Sequence, residues 1–242
     1  MSKSVFITGA TGYIGGAVAA LLVKKGYKVK GLVRSREKAE KLKKRGIEPI
    51  LGDLSDSALL KSSAQAADIV VDCADADDEK TVDIFIDALQ GSGKIFIHTS
   101  GSSIVSDQAN GEHSELVFDE ELKFVPVPDK RARVAIDRKV LAASQAGVRS
   151  FVVCPCLIYG EGAGMHSESQ QVPNLIKQAV KSGIVRHVGK GENIWSTIHI
   201  EDLANLYLTV IEKAPTSALD CGDFYFAESG EARSEERRVG KE

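Results

Sequence analysis

An α/β chain wound around a parallel sheet is what this sequence predicts, on three observations. Strand-like and helix-like segments alternate from the first residues onward. The strand-like runs are apolar almost throughout, as in strands buried on both faces. The first of them leads into "FITGATGYIGG", residues 6–16, a glycine-rich turn that opens a helix. Together they predict a doubly wound parallel sheet covered by helices on both sides.

Each element follows from its local pattern. Ser4-Val5-Phe6-Ile7 reads as a short buried strand, and Tyr13 to Lys25 carries Ile14, Val18, Leu21 and Leu22 at helical spacing. "YKVKGLVR" is the second strand and "SREKAEKLKKRG" an exposed helix ended by Gly46. "IEPILGD", "SALLKSSAQA" and "ADIVVDCA" give strand, helix and strand. "DIFIDALQGSG" is a helix with a glycine stop, and "KIFIHTS" is the next strand. "RARVAIDRKVLAASQAG" reads as a helix, "VVCPCLIYGEG" as strand and loop, and "QVPNLIKQAVKSG" as a helix started by proline. "NIWSTIHIEDLANLYLTVIEK" gives a strand and a helix led by Asp202, with an apolar stripe at Leu203, Leu206, Tyr207 and Val210. In such a fold ligands bind beyond the carboxyl ends of the strands, where Gly9, Arg34, Asp53, Ala74 and Thr99 fall.

Composition narrows the classes. The 242 residues are 43% hydrophobic, enough for a sizeable core, and the net charge of -3 with scattered Lys and Arg forms no basic stripe for nucleic acid. No apolar run is long enough to span a bilayer, and the strand pattern beginning within a few residues leaves no signal peptide. The cysteines, Cys73, Cys154, Cys156 and Cys221, show neither a paired framework nor metal-ligand spacing, so they read as reduced thiols of a cytoplasmic protein with no metal site.

The glycine turn carries the first chemical expectation. At a strand-to-helix turn Gly9 takes a backbone conformation closed to other residues, Gly12 admits a ligand to the main chain, and Gly15 lets helix and strand pack closely. The helix start, over Gly12, Tyr13, Ile14 and Gly15, offers unpaired N–H groups and a positive dipole end to a pyrophosphate, and Thr11 adds a hydroxyl. Dinucleotide binding is the reading; an ordinary tight turn is the alternative.

"TGATGYIGG", "GDLSD", "IYGEGAG" and "IWSTIHIEDLANLYL" together resemble the extended and atypical short-chain dehydrogenase/reductases, the NAD(P)-dependent epimerase/dehydratase group, from about residue 3 to residue 228. The resemblance implies a Rossmann-type domain over 1–160 and substrate-lobe elements interleaved with it over 161–229; residues 230–242 depart from it, since relatives continue with more helix and strand, and their charge and lack of an apolar period read as an unstructured tail. The resemblance also implies a small-molecule substrate and a homodimer formed through the helices near residues 80–90 and 131–146. Relatives end the second strand with an acid for NAD; here Arg34 stands there, with Ser35 and Arg36 behind it, which favours NADP, although Glu37 offers NAD an acid. Asp53 and Leu54 match the pair flanking the adenine in relatives, with a helix cap as the alternative for Asp53. Ala74 matches the loop beneath the adenosine ribose, and Pro155 with Cys156 the backbone under the nicotinamide. Asp75, Asp77, Asp78 and Glu79 read as a solvated helix start.

The family's acid/base pair is a tyrosine four residues before a lysine on one helix. Lys139 fits the lysine, but Ala135 stands at the tyrosine position. Gly101 occupies the place of the catalytic serine or threonine, leaving Thr99, Ser100, Ser102 and Ser103 as neighbours; Ser102 is the choice here, reached by a one-residue shift of the loop. Lys139 then either anchors the nicotinamide ribose, acts as the acid/base itself, or is a surface lysine. Asn174 matches a substrate contact of sugar-nucleotide enzymes, His199 and Asp202 read as structural, and Trp195 as packing between lobes. "FYFAESGEA" resembles the opening of the lobe's last section, so the lobe is expected to be small, as in a truncated member, with an apolar face uncovered near Tyr225 and Phe226. The function expected is NADP-dependent hydride transfer on a carbonyl or nucleotide-sugar-like substrate; the alternative is a non-catalytic NADP-binding sensor.

Overall fold

The computed structural model describes residues 2–216, 221–230 and 232–234. Its main sheet is built from β1 (Ser4–Thr8), β2 (Lys28–Val33), β3 (Glu48–Leu51), β4 (Ile69–Asp72), β5 (Ile95–Thr99), β6 (Arg149–Pro155) and β9 (Asp223–Ala227). They run parallel in the order β3-β2-β1-β4-β5-β6-β9. The chain therefore winds outward from β1 one way to β3 and then the other way through β4. That reversal opens a crevice at the carboxyl ends of β1 and β4, the place where such sheets bind ligands.

The pleat divides the core in two. Val5 and Ile7 of β1, Ile69 and Val71 of β4 and Ile95 and Ile97 of β5 face one layer, formed by α1 (Tyr13–Lys24), α2 (Arg36–Lys43) and α7 (Ile200–Lys213). Phe6, Val70 and Phe96 face the other, formed by α3 (Ser57–Ala66), α4 (Glu79–Leu89) and α5 (Arg131–Ala142). In the second layer Phe85 of α4 meets Phe6 and Phe96 edge-on, with ring centroids 6.0 and 5.7 Å away. Each such pair contributes about 0.5–1.5 kcal/mol beyond its buried area.

β7 (Leu157–Tyr159), β8 (Ile194–His199) and β10 (Ala232–Ser234) form a small second sheet, and α6 (Gln171–Ser182) lies beside β7. Two expectations change here. "FYFAESGEA" supplies β9, the outer strand of the main sheet paired with β6, rather than a section of the lobe. The stretch 230–242, expected to be unstructured, contributes β10, antiparallel to β8; its remaining residues beyond Gly230 lie outside those described.

The uncovered apolar face is also elsewhere. Tyr225 stacks over Phe151 at 6.4 Å and Phe226 packs edge-on to Phe224 at 5.0 Å, so both are partly buried. Exposed apolar side chains gather instead on α6 and just after it, among them Leu175, Ile176, Val180 and Ile184, and Trp195 on β8, expected between lobes, is 40% exposed. Among the described residues no helix is long and apolar enough to cross a membrane.

Candidate functional site

The glycine turn is built by exclusion of side chains. Gly9 has φ +70°, and a Cβ there would stand 2.4 Å from the Cys73 carbonyl oxygen at the end of β4. A Cβ on Gly15 would stand 2.5 Å from the Gly9 carbonyl oxygen. The Gly12 N–H donates to Gly9 O at 2.8 Å, closing the turn. Four other helix starts are occupied, with Ser35 capping α2, Asp56 α3, Asp78 α4 and His199 α7, while α5 and α6 carry no side-chain cap bond and lack the glycine turn. The N-cap of α1 is Gly12, with no side-chain bond and no acid in the first turn. The N–H groups of Tyr13, Ile14 and Gly15 are therefore presented together with the dipole's positive end, a cradle that fits a pyrophosphate.

Next to it lie the residues expected around an adenosine. Arg34 is exposed just past β2, and Glu37 is bonded to Lys41 at 2.6 Å, which holds its carboxyl below the usual range. Asp53 accepts from the Ser55 N–H at 2.8 Å and the Ser55 hydroxyl at 2.5 Å, and these bonds hold its carboxyl low. The cap of α3 is Asp56, so the alternative reading of Asp53 as a cap is corrected. Leu54 packs on the second core layer, and Ala74 is exposed in the loop after β4.

Between this crevice and α5 lies a polar cluster that parallel-strand patterning does not anticipate. Asp72 ends β4 and His98 sits within β5, both in the core. The Thr8 hydroxyl donates to Asp72 Oδ1 at 2.5 Å, and His98 Nδ1 lies 3.0 Å from Asp72 Oδ2. The ring's Nδ1–H thus points at Asp72 and Nε2 faces Asp137 Oδ1 at 4.0 Å. The Ser100 hydroxyl donates to Asp137 Oδ2 at 2.8 Å. Burial pushes the Asp137 carboxyl up to about 6, against the opposing pull of Ser100, His98 and Arg133.

That arrangement corrects the register expected for α5. Ala135 is exposed, and Lys139 bonds Glu79 at 2.6 Å and Asp83 at 2.7 Å on α4. The side chains that α5 turns to the strand-end loops are Arg133 and Asp137, also four residues apart. Arg133 forms a two-pronged pair with Asp77, at 2.8 and 2.5 Å, and reaches Ser103 at 3.4 Å. A Cβ on Gly101 would lie 3.3 Å from Arg133 Nη1. Ser102 begins a single 3-10 turn over Ser102–Val105. Thr99 turns its hydroxyl the other way, 2.6 Å from the buried Tyr207 hydroxyl and 3.2 Å from Cys73 Sγ. Signals for the missed residues exist: Asp72 and His98 interrupt apolar strands, and Arg133 with Asp137 has the same spacing as the pair expected at 135 and 139.

On the substrate side Pro155 ends β6 within the core, Cys156 Sγ donates to Ala227 O at 2.9 Å, and burial raises the Cys154 thiol. Segment 160–164 folds back on α1. The Tyr13 hydroxyl donates to Gly160 O at 2.8 Å, and a Cβ on Gly16 would lie 3.0 Å from Gly164 Cα. His199 accepts from the Glu201 N–H and stands edge-on to Tyr159 at 5.2 Å, a structural role; it, not Asp202, caps α7. An open cleft of about 440 Å³ lies beyond, lined by Tyr159, Gly160, Glu161, Ser169, Val172 and Pro173. Asn174 is exposed on α6 beside it. Among the described residues no group of three or more His, Cys, Asp or Glu side chains is placed to hold a metal ion.

Known proteins share this architecture. The chain is 34% identical to the oxidase ucsJ of Acremonium sp. over 264 residues, covering 96% of this chain and 75% of that protein. It is 26% identical to the 4-hydroxy-2-methyl-3-oxo-4-farnesyl-3,4-dihydroquinoline-1-oxide ketoreductase of Stigmatella aurantiaca, covering 93% and 68%. Its fold matches that of dTDP-glucose 4,6-dehydratase from Bacillus anthracis, solved in complex with NAD, with TM-score 0.76 at 16% identity over 98% of this chain and 78% of that one. Residues 5–222 match the sequence profile of the NAD dependent epimerase/dehydratase family, which with the parallel sheet and uncapped glycine turn means that the chain belongs to that family.

Proposed function

We propose that the protein is an NADP-dependent oxidoreductase that moves a hydride to or from a carbonyl-bearing small molecule, of ketone or nucleotide-sugar-like type. The observation that carries this is the start of α1, where Gly9, Gly12 and Gly15 leave the backbone bare and no side chain caps the N–H groups. The pyrophosphate would lie on those amides with Thr11 beside it. Asp53 and Leu54 would flank the adenine, Ala74 would lie beneath its ribose, and the Pro155 backbone would meet the nicotinamide. Arg34 supports NADP because it is exposed at the end of β2, while the nearby acid Glu37 is engaged by Lys41. Bound there, the dinucleotide supplies the hydride chemistry, and the open cleft at Tyr159 and Val172 receives the substrate. In this reading Lys139 is a structural ion-pair residue, since Glu79 and Asp83 of α4 hold it.

A second reading is favoured by the exposure of Ala135 and the bare Gly101: a dinucleotide-binding sensor without turnover. Titration calorimetry with NADPH and NADH on the native protein and on Arg34→Asp tests the cofactor assignment. Native protein is expected to prefer NADPH, and the variant to lose that preference; equal affinities throughout refute the role of Arg34. Loss of NADPH absorbance with a panel of aldehydes, ketones and nucleotide sugars separates the enzyme from the sensor, which binds and does not consume.

A further inference from the structure

We infer that Asp137, facing His98 across a buried gap, holds the proton that this site gives to a substrate oxygen, with the Ser100 hydroxyl passing it on. The inference rests on the oxidoreductase reading above. Its geometry is independent of that reading. His98 Nε2 and Asp137 Oδ1 are both buried without a hydrogen-bond partner, and they face one another at 4.0 Å. An unpaired buried polar atom costs about 1–3 kcal/mol, so two of them opposed is an arrangement that asks for a reason. A proton on the Asp137 carboxyl supplies it: 4.0 Å is too long for a hydrogen bond to Nε2, but the neutral acid leaves no unpaired negative charge at Oδ1, and carried on Oδ2 the proton lies in the 2.8 Å contact with Ser100 Oγ.

Ser100 lies at the outer end of this pair, just past β5. Its Oγ bonds Asp137 Oδ2, and at 6% exposure it is the member nearest the surface, while Asp137 and His98 are at 0%. It directly precedes Gly101, which has no hydroxyl to offer. Of its neighbours, Ser103 is held by Arg133 and Thr99 by Tyr207, so Ser100 is the loop hydroxyl bonded to a buried carboxyl. A carbonyl carbon that gains a hydride from the reduced nicotinamide dinucleotide leaves an alkoxide oxygen. That oxygen takes the Ser100 proton, Ser100 Oγ takes the Asp137 proton, and Asp137 ends as a carboxylate to be reprotonated from water. Oxidation of an alcohol runs the same transfers in reverse.

The groups facing Asp137 are His98 of β5 and Ser100 just after it, with Asp72 behind them, Asp77 of the β4–α4 loop, Cys154 of β6 and Arg133 of its own helix. The test begins on the protein without dinucleotide, by carbon-13 NMR of aspartate-labelled material. One carboxyl is expected to titrate near pH 6, to vanish in Asp137→Asn, and to move higher in Ser100→Ala, which removes a bond to the carboxylate. With NADPH and the aldehyde, ketone and nucleotide-sugar panel, both variants are expected to keep the NADPH Kd within about threefold. Both should lose about 10²-fold or more in kcat, the size of a general-acid contribution. Native kcat for reduction is expected to fall as pH rises through the same titration.

An Asp137 signal that titrates with the ordinary carboxylates overturns the proton store. Full kcat in Ser100→Ala overturns the transfer through that hydroxyl. Native protein that binds NADPH but consumes it with no substrate overturns the delivery step together with the oxidoreductase reading, whereas the NMR titration judges the Asp137–His98 pair in either case. Should Asp137→Asn fail to fold, Ser100→Ala and the native titration carry the decision.

Discussion

Replacing Asp137 by asparagine should make the protein more stable, and only at the higher pH. The folded-state pKa is about 6 against an ordinary value of 3.8, so the fold holds this proton more tightly than the unfolded chain does. Stability is then undiminished below the ordinary value, falls as pH rises from there, and is fully reduced once pH passes the folded value. A difference of about two units corresponds to about 3 kcal/mol of ionisation penalty at pH 8, shrinking to below about 1 kcal/mol at pH 4. Asparagine keeps an oxygen for the Ser100 hydroxyl and turns an N–H toward the unpaired His98 Nε2, while carrying no charge to desolvate. Urea unfolding followed by circular dichroism at both pH values measures the gain. A stability difference that is the same at pH 4 and pH 8, or a variant less stable at pH 8, would refute this reading of the buried carboxyl.

Two further outcomes follow from the geometry. In Gly15→Ala the new methyl meets the Gly9 carbonyl oxygen at 2.5 Å and its carbon at 2.8 Å, both main-chain atoms, so α1 must shift from the turn. The expected cost is about 1–3 kcal/mol of stability and a fall of at least about tenfold in dinucleotide affinity; unchanged affinity by calorimetry would show that the turn is not the binding cradle. In Lys139→Gln the ion pairs to Glu79 and Asp83 are lost at a partly exposed site, costing at most about 1 kcal/mol. NADPH affinity and kcat should stay within about threefold, and a large kcat loss would restore Lys139 to the catalytic site.

Much of this was legible in the residues. The apolar runs mark strands with no water on either side, and the helical periods between them force parallel crossovers, so the doubly wound sheet follows from patterning alone. The glycine turn was equally readable, because a positive φ and two close backbone approaches are demands that few residues other than glycine meet. Caps were less so: Asp56 and His199 take the roles read for Asp53 and Asp202, since several polar residues near one helix start satisfy the same local pattern.

The tertiary structure alone decided which face of α5 looks at the strand ends. Positions 133 and 137 and positions 135 and 139 both have the four-residue spacing, but the two pairs lie about 200° apart around a helix turning about 100° per residue. Burying Val134, Ile136 and Val140 against the sheet side of the core turns Asp137 inward and leaves Lys139 to the carboxylates of α4. Likewise β9 becomes the outer strand of the main sheet because its backbone groups pair with β6, a long-range match that no local period encodes. Local sequence determined where the backbone is bare and where strands run; the meeting of Asp72, His98, Ser100 and Asp137 depends on contacts between residues far apart in the chain, and only packing brings those together.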